Sequence, residues 1–199
     1  MRMNLFSTGL LASAALIGLQ GCMTMNDDMG GASASAAAGG TVTVGGAPMY
    51  ANRNIIQNAV NSRDHTTLVA AVRAAGLVET LSGPGPFTVF APTNAAFARL
   101  PAGTVETVLR PENRSMLQSV LTYHVVPGRL TAADLMTRIR AGGGTARLTT
   151  VQGGTLTARM SGNNIVLMDA RGGMSTVTQA NVMQSNGVIH VTNAVSMPG

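Results

Sequence analysis

Residues Phe87 to Pro101 read FTVFAPTNAAFARLP, and this stretch decides the fold. Its first five residues are aromatic, β-branched or small and follow a Gly-Pro-Gly-Pro turn, which predicts a strand. Pro92 has no N–H to give to a ladder and ends it. Thr93 and Asn94 carry the short polar side chains that cap free N–H groups at a helix start. Ala95, Ala96 and Phe97 then make one helical turn before Leu100 and Pro101 close the unit. Three of the chain's four Phe residues, Phe87, Phe90 and Phe97, fall here, in a protein with 3% aromatics and no Trp. Large rings bury the most area, so the core is expected around this strand.

Upstream, Ile55, Ile56, Ala59 and Val60 share one helical face and predict a helix over Asn52 to Asn61. Asp64 is the expected N-cap of a second helix, with Leu68, Val69, Val72 and Ala75 inward and Gly76 as its left-handed stop. Leu77 to Leu81 continue as a short helical piece. Downstream, helices are expected over Thr104 to Leu109 and Glu112 to Leu121, the latter with Met116, Leu117, Val120 and Leu121 inside. Tyr123-His124-Val125-Val126 reads as a strand ended by Pro127-Gly128. Thr131 and Asp134 are spaced as a capping box and open a helix near Leu135 to Ile139. From Gly142 onward the pattern alternates in five strand-like runs divided by Gly-Gly or Asn-rich turns: Arg147–Val151, Thr155–Met160, Ile165–Asp169, Ser175–Val182 and Val188–Val195. Helices first and an antiparallel meander afterwards make an α+β fold, not a βαβ crossover fold.

Residues 1–22 are read as a signal peptide. Arg2 is followed by an apolar run, Leu10 to Leu19, too short for the ~20 residues of a spanning helix. Leu19-Gln20-Gly21-Cys22 resembles a bacterial lipobox, which implies lipidation of Cys22 and a membrane anchor through it. Met23 in place of Asp after that Cys is similar to the pattern sorted to the outer membrane. Residues 23–50, rich in Gly, Ala, Ser and Thr, are read as a flexible tether, and residues 51–199 as the folded domain. Cys22 is the only Cys, so the domain holds by packing without disulfides. The net charge is +5, and all thirteen basic residues are Arg, scattered singly. A nucleic-acid surface needs a basic stripe with stacking aromatics, and neither is present; weak attraction to anionic lipid or acidic polysaccharide fits better.

Thr88 to Pro101 (TVFAPTNAAFARLP), Tyr123 to Gly128 (YHVVPG) and Asn186 to Pro198 (NGVIHVTNAVSMP) together resemble the first box, the Tyr-His motif and the second box of the fasciclin (FAS1) domain. The resemblance implies a β-wedge of two small, mostly antiparallel sheets wrapped by short helices, with the two boxes on neighbouring central strands. It also implies an extracellular adhesion or matrix-binding module without catalysis. Ala95 stands where the family often has an acidic residue, and His65 where an aromatic is common.

The candidate motif residues are Tyr123, His124, Thr93, Asn94 and His190. The resemblance makes Tyr123-His124 a partner-binding site, as proposed for animal members. The physical alternative, which the residues favour, has His124 hydrogen-bonding the Thr93-Asn94 corner, since an unpaired buried polar group costs ~1–3 kcal/mol. His190 alternates with Ile189 and Val191 and reads as a satisfied sheet residue, while His65 is expected at the surface. No HxxxH or HExxH spacing supports a metal, no Gly-x-Ser-x-Gly elbow a nucleophile, and no Gly loop a phosphate, so no cofactor is expected. The expected partner is an envelope or extracellular protein or polysaccharide. Two other readings are a periplasm-facing structural lipoprotein contacting cell wall or envelope proteins, and a small-molecule or lipid carrier, which needs an apolar cavity.

Overall fold

The structure is a computed structural model that describes residues 41–199. The signal segment, Cys22 and the tether as far as residue 40 lie outside the described residues.

The described chain opens with a hairpin, β1 (Val42–Val44) and β2 (Ala47–Met49), in a segment read from sequence as tether. The boundary at residue 50 is therefore corrected: Val44, Ala47 and Met49 are buried in the core, and the Gly45 carbonyl accepts from Arg63 N. Next come α1 (Ile55–Ala59), a 3-10 turn at Arg63–His65, α2 (Thr66–Ala75) and α3 (Val78–Ser82). The first helix is shorter than expected because Asn54 and Gln57 form a capping box inside the predicted span. Asp64 caps nothing; it lies within the 3-10 turn. Gly76 does end α2 at φ 73°, where only Gly sits without strain.

The strand β3 (Phe87–Pro92) leads into α4 (Asn94–Ala98) through Thr93, whose Oγ1 accepts from Ala96 N at 3.3 Å. Then follow α5 (Thr104–Val108), α6 (Arg114–Tyr123), β4 (Val125–Pro127) and α7 (Ala132–Ala141). Tyr123 ends α6 and His124 is its C-cap, so the expected strand begins two residues late. Met116, expected inside, is 54% exposed. The capping box of α7 forms as read, with Asp134 accepting from Thr131 N at 2.8 Å and its own N–H returning to Thr131 Oγ1 at 3.2 Å. The meander is β5 (Thr145–Thr149), β6 (Thr155–Ser161), β7 (Asn164–Met168), β8 (Met174–Gln184) and β9 (Gly187–Thr192).

These strands order as β4-β3-β9-β8-β7-β6-β5, with β3 and β9 parallel and the other neighbours antiparallel. β8 serves both halves: Met174 to Thr176 pair with β7, and Val177 to Gln184 pair with β9. Register shifts between Val177 and Val182 mark bulges at this junction, where a ladder bends and twists. The α+β reading and the neighbouring of the two boxes hold.

β3 and β9 are buried on both faces, which is why neither shows a polar-out alternation. Val89, Ala91, Ile189 and Val191 face a core closed by the N-terminal hairpin, α1, α2 and α6. Phe90 faces a second core, where Leu135 and Ile139 of α7 meet Leu148, Leu156 and Leu167 of the meander. One strand pair thus separates two hydrophobic clusters.

Candidate functional site

The motif residues occupy the ends and flanks of that strand pair. Thr88 is fully buried, yet its hydroxyl donates to Gly128 O at 2.6 Å and accepts from Leu130 N at 2.8 Å, tying β3 to the chain after β4. One hydroxyl can do both because it has one donor and two lone pairs.

His124 is 3% exposed. Its Nδ1 lies 2.8 Å from Val120 O, and its Nε2 accepts from Ser196 N at 2.9 Å. A carbonyl only accepts and an amide N–H only donates, so the partners dictate a neutral ring protonated on Nδ1. Burial pushes its pKa down, against the Val120 carbonyl and the Asp169 carboxylate, which favour the charged form. The expected bond to the Thr93-Asn94 corner is not made. His124 instead fastens the C-terminal segment to the last turn of α6.

His190 repeats the device in the other tautomer. Nε2 donates to Leu130 O at 2.8 Å and Nδ1 accepts from Asn181 N at 3.4 Å, while the ring stacks on Phe90 with centroids 5.6 Å apart. The side chain is fully buried, and that burial lowers its pKa. The reading of His190 as a satisfied sheet residue is right.

Tyr123 is also fully buried. Its hydroxyl donates to Thr155 O at 2.7 Å and accepts from Ala170 N at 3.0 Å, joining α6 to two turns of the meander. Burial raises its pKa. The ring lies so close to Gly154 that a Cβ there would stand 2.7 Å from Cε2, so this turn must be glycine. Nearby, Asp169 accepts from Gly173 N at 2.7 Å, Arg171 N at 3.0 Å and Met197 N at 2.9 Å.

Asn94 does not cap its own helix. Its Oδ1 accepts from Thr67 N at 3.0 Å and its amide donates to Arg63 O at 2.8 Å, so it caps α2 from outside. Asn186 does the same for α1, accepting from Ile55 N at 3.0 Å and donating to Leu81 O at 2.8 Å. Asn181, at φ 60°, accepts from Ala132 N of α7 at 2.8 Å. From sequence, Asn94 reads as a cap of the helix that follows it, Asn181 as part of a strand and Asn186 as a turn residue; no local signal distinguishes a cap made across tens of residues.

His65, expected at the surface, is 4% exposed. Its Nδ1 lies 2.9 Å from Ser62 Oγ, and Nε2 has no partner among the described residues. The N-terminal hairpin covers it, which the tether reading hid. Asn94, Tyr123, His124 and His190 are therefore joints between elements, each bonded chiefly to main chain, while the Thr93 side chain caps its own helix. Among the described residues no group of three His, Cys, Asp or Glu is placed to hold a metal.

Beneath α1, α2 and α3 lies an apolar cavity of about 40 Å³, and another of about 30 Å³ lies between α4, α5 and α6. Sites for drug-sized ligands run to roughly 300–1,000 Å³. A wider cleft of about 510 Å³, between the Gly83–Pro86 turn, Arg129 and Asn186, is open to solvent and lined largely by polar residues, so it is not the apolar cavity a carrier needs.

Comparison with known proteins gives a consistent picture. The model of the fasciclin domain family matches residues 63–198. A protein of Synechocystis sp., sll1483, is 47% identical over 144 residues, covering 72% of this chain and 73% of that one. Immunogenic protein MPB70 of Mycobacterium bovis is 37% identical over 145 residues, covering 70% of this chain and 66% of its own. Among solved structures, the FAS1 domain pair of the insect cell adhesion molecule Fasciclin I superposes with a TM-score of 0.65 at 15% identity, over 72% of this chain and 50% of that one. The N-terminal hairpin and α1 precede the family match.

Proposed function

The chain belongs to the fasciclin domain family, and on that premise we propose that it is a non-enzymatic adhesion module of the cell envelope, lipid-anchored through Cys22. One observation carries the reading. Tyr123, His124 and His190, the titratable side chains of the family motifs, are buried and bonded to the chain itself, and His65 is buried as well. A general base must reach a substrate proton, and the hydrogen bonds of these three motif side chains all go to main-chain atoms. Contact with a partner then falls to exposed surface on a rigid frame, as the name of the insect relative suggests.

The test uses the full chain in cells. Wild type is expected in the membrane fraction, labelled by radioactive palmitate and removed from intact cells by added protease. Cys22→Ser is expected to lose the label and leave the membrane. A Cys22→Ser variant that stays membrane-bound overturns the anchor. A wild-type domain that survives protease on intact cells overturns outward display and favours the periplasm-facing structural role.

A further inference from the structure

We infer that the outward face of β5 to β8 is a docking surface for an acidic polysaccharide; this rests on the envelope-binding reading and names its partner. The burial pattern of β5 alternates strictly, with Ala146 and Leu148 inward and Thr145, Arg147 and Thr149 outward. On β6, Leu156 and Ala158 face inward, with Thr155, Thr157 and Arg159 outward. The pairing register aligns these residues in rows across the sheet. One row runs Thr145, Arg159, Val166, Thr176, and the next runs Arg147, Thr157, Met168, Met174.

Arg147 faces Thr157, two residues from Arg159, so the two guanidinium side chains are diagonal neighbours rooted ~7–8 Å apart. Like charges at this spacing repel, and no carboxylate stands among the outward positions of the four strands to relieve them. Asp169, which follows β7, is buried and occupied by three main-chain N–H groups. Arg147 makes no side-chain hydrogen bond among the described residues. The one side-chain hydrogen bond of Arg159 among the described residues runs from Nη2 to the Met174 sulfur at 2.9 Å, a weak acceptor on the same face.

A surface with two adjacent guanidinium groups, neither ion-paired among the described residues, calls for anionic groups, which Arg binds by paired N–H donors. The threonine hydroxyls around them, each able to donate and accept, match the hydroxyls of a sugar chain. A lipid headgroup layer fits less well, because Met168 and Met174 are the only large apolar side chains exposed on these strands and no aromatic accompanies them.

The probe is alginate, a carboxylate-bearing polysaccharide, in affinity electrophoresis of the full chain, with neutral dextran and phosphatidylglycerol vesicles as the other arms. Wild type is expected to be retarded by alginate, less so as salt rises, and not by dextran. Arg147→Thr with Arg159→Thr is expected to weaken alginate binding by at least about tenfold, the loss of one charge-assisted contact or more. Arg138→Gln with Arg140→Gln removes the same charge from α7 and is expected to leave binding within about twofold. Equal losses in both double variants, no retardation of wild type, or Arg147- and Arg159-dependent vesicle binding without alginate binding overturns the proposal. Failure here with outward display intact on cells leaves the adhesion module standing; loss of display with alginate binding intact does the reverse.

Discussion

Around the β3–β9 pair, polar side chains are turned to main-chain partners: Thr88 to Gly128 and Leu130, His190 to Leu130 and Asn181, His124 to Val120 and Ser196. On the outward face of β5 to β8, in the same sheet, Arg147 and the threonines beside it are turned to solvent. The first region holds the residues that carry the family motifs, and the second carries none of them. Motif residues here hold the frame together, and the exposed face is left to meet a partner. Removing groups from the first region is therefore expected to cost stability, and removing them from the second to cost binding alone.

The largest effect is expected from His124→Ala. It strands the Val120 carbonyl and the Ser196 N–H in a buried site and leaves a hole the size of an imidazole. At ~1–3 kcal/mol per unsatisfied group plus the cavity, a loss near 4 kcal/mol is expected, or about 10 °C in melting temperature by calorimetry. Unchanged stability with lost partner binding would return Tyr123-His124 to the role proposed for animal members.

Acid comes next. Burial holds both His124 and His190 below their ordinary pKa of 6.5, so the folded state prefers each ring neutral. Their stability is complete above pH 6.5 and is lost as pH falls from 6.5 toward the depressed folded values, because the unfolded chain then binds protons the folded one refuses. Two such rings give a loss of up to about 2.5 kcal/mol between pH 7 and 5.5, read by urea titration at each pH. His65 shifts in the same direction through its own burial. A flat profile over that range breaks the claim that the rings are held neutral. In Tyr123→Phe, the Thr155 carbonyl and Ala170 N–H lose their shared hydroxyl while the ring keeps its packing, and a cost of about 1–2 kcal/mol is expected in the same titration.

What the sequence showed and what it hid divide by distance along the chain. The β3 strand, its Pro92 stop, the Thr93 cap, the Thr131–Asp134 box and the Gly76 stop are set by residues within a few positions of one another. The partners of His124 lie four and 72 residues away, and Asn94 caps a helix 27 residues upstream. The N-terminal hairpin was legible in principle: Val42 and Val44 alternate ahead of Gly45-Gly46, a two-residue turn signal. Small residues around it made the segment read as linker, and the burial of His65 was lost with it.

The smallest effect sharpens the contrast most. Arg147→Thr with Arg159→Thr is expected to change unfolding free energy by no more than about 0.5 kcal/mol, and in the stabilising direction if any. Both side chains are exposed, neither has a carboxylate opposite it, and threonine suits a strand better than most residues. Removing two like charges from diagonal positions relieves their repulsion, an effect that shrinks as salt screens it. Calorimetry at low and high salt reads both the sign and the screening. A loss of several kcal/mol instead would mean that these arginines support the sheet through their aliphatic stems, with Val166, the cross-strand neighbour of Arg159 and only 7% exposed, the residue such a stem would cover. In that case the outward face belongs to the frame as well, and the division between a closed motif and an open surface disappears.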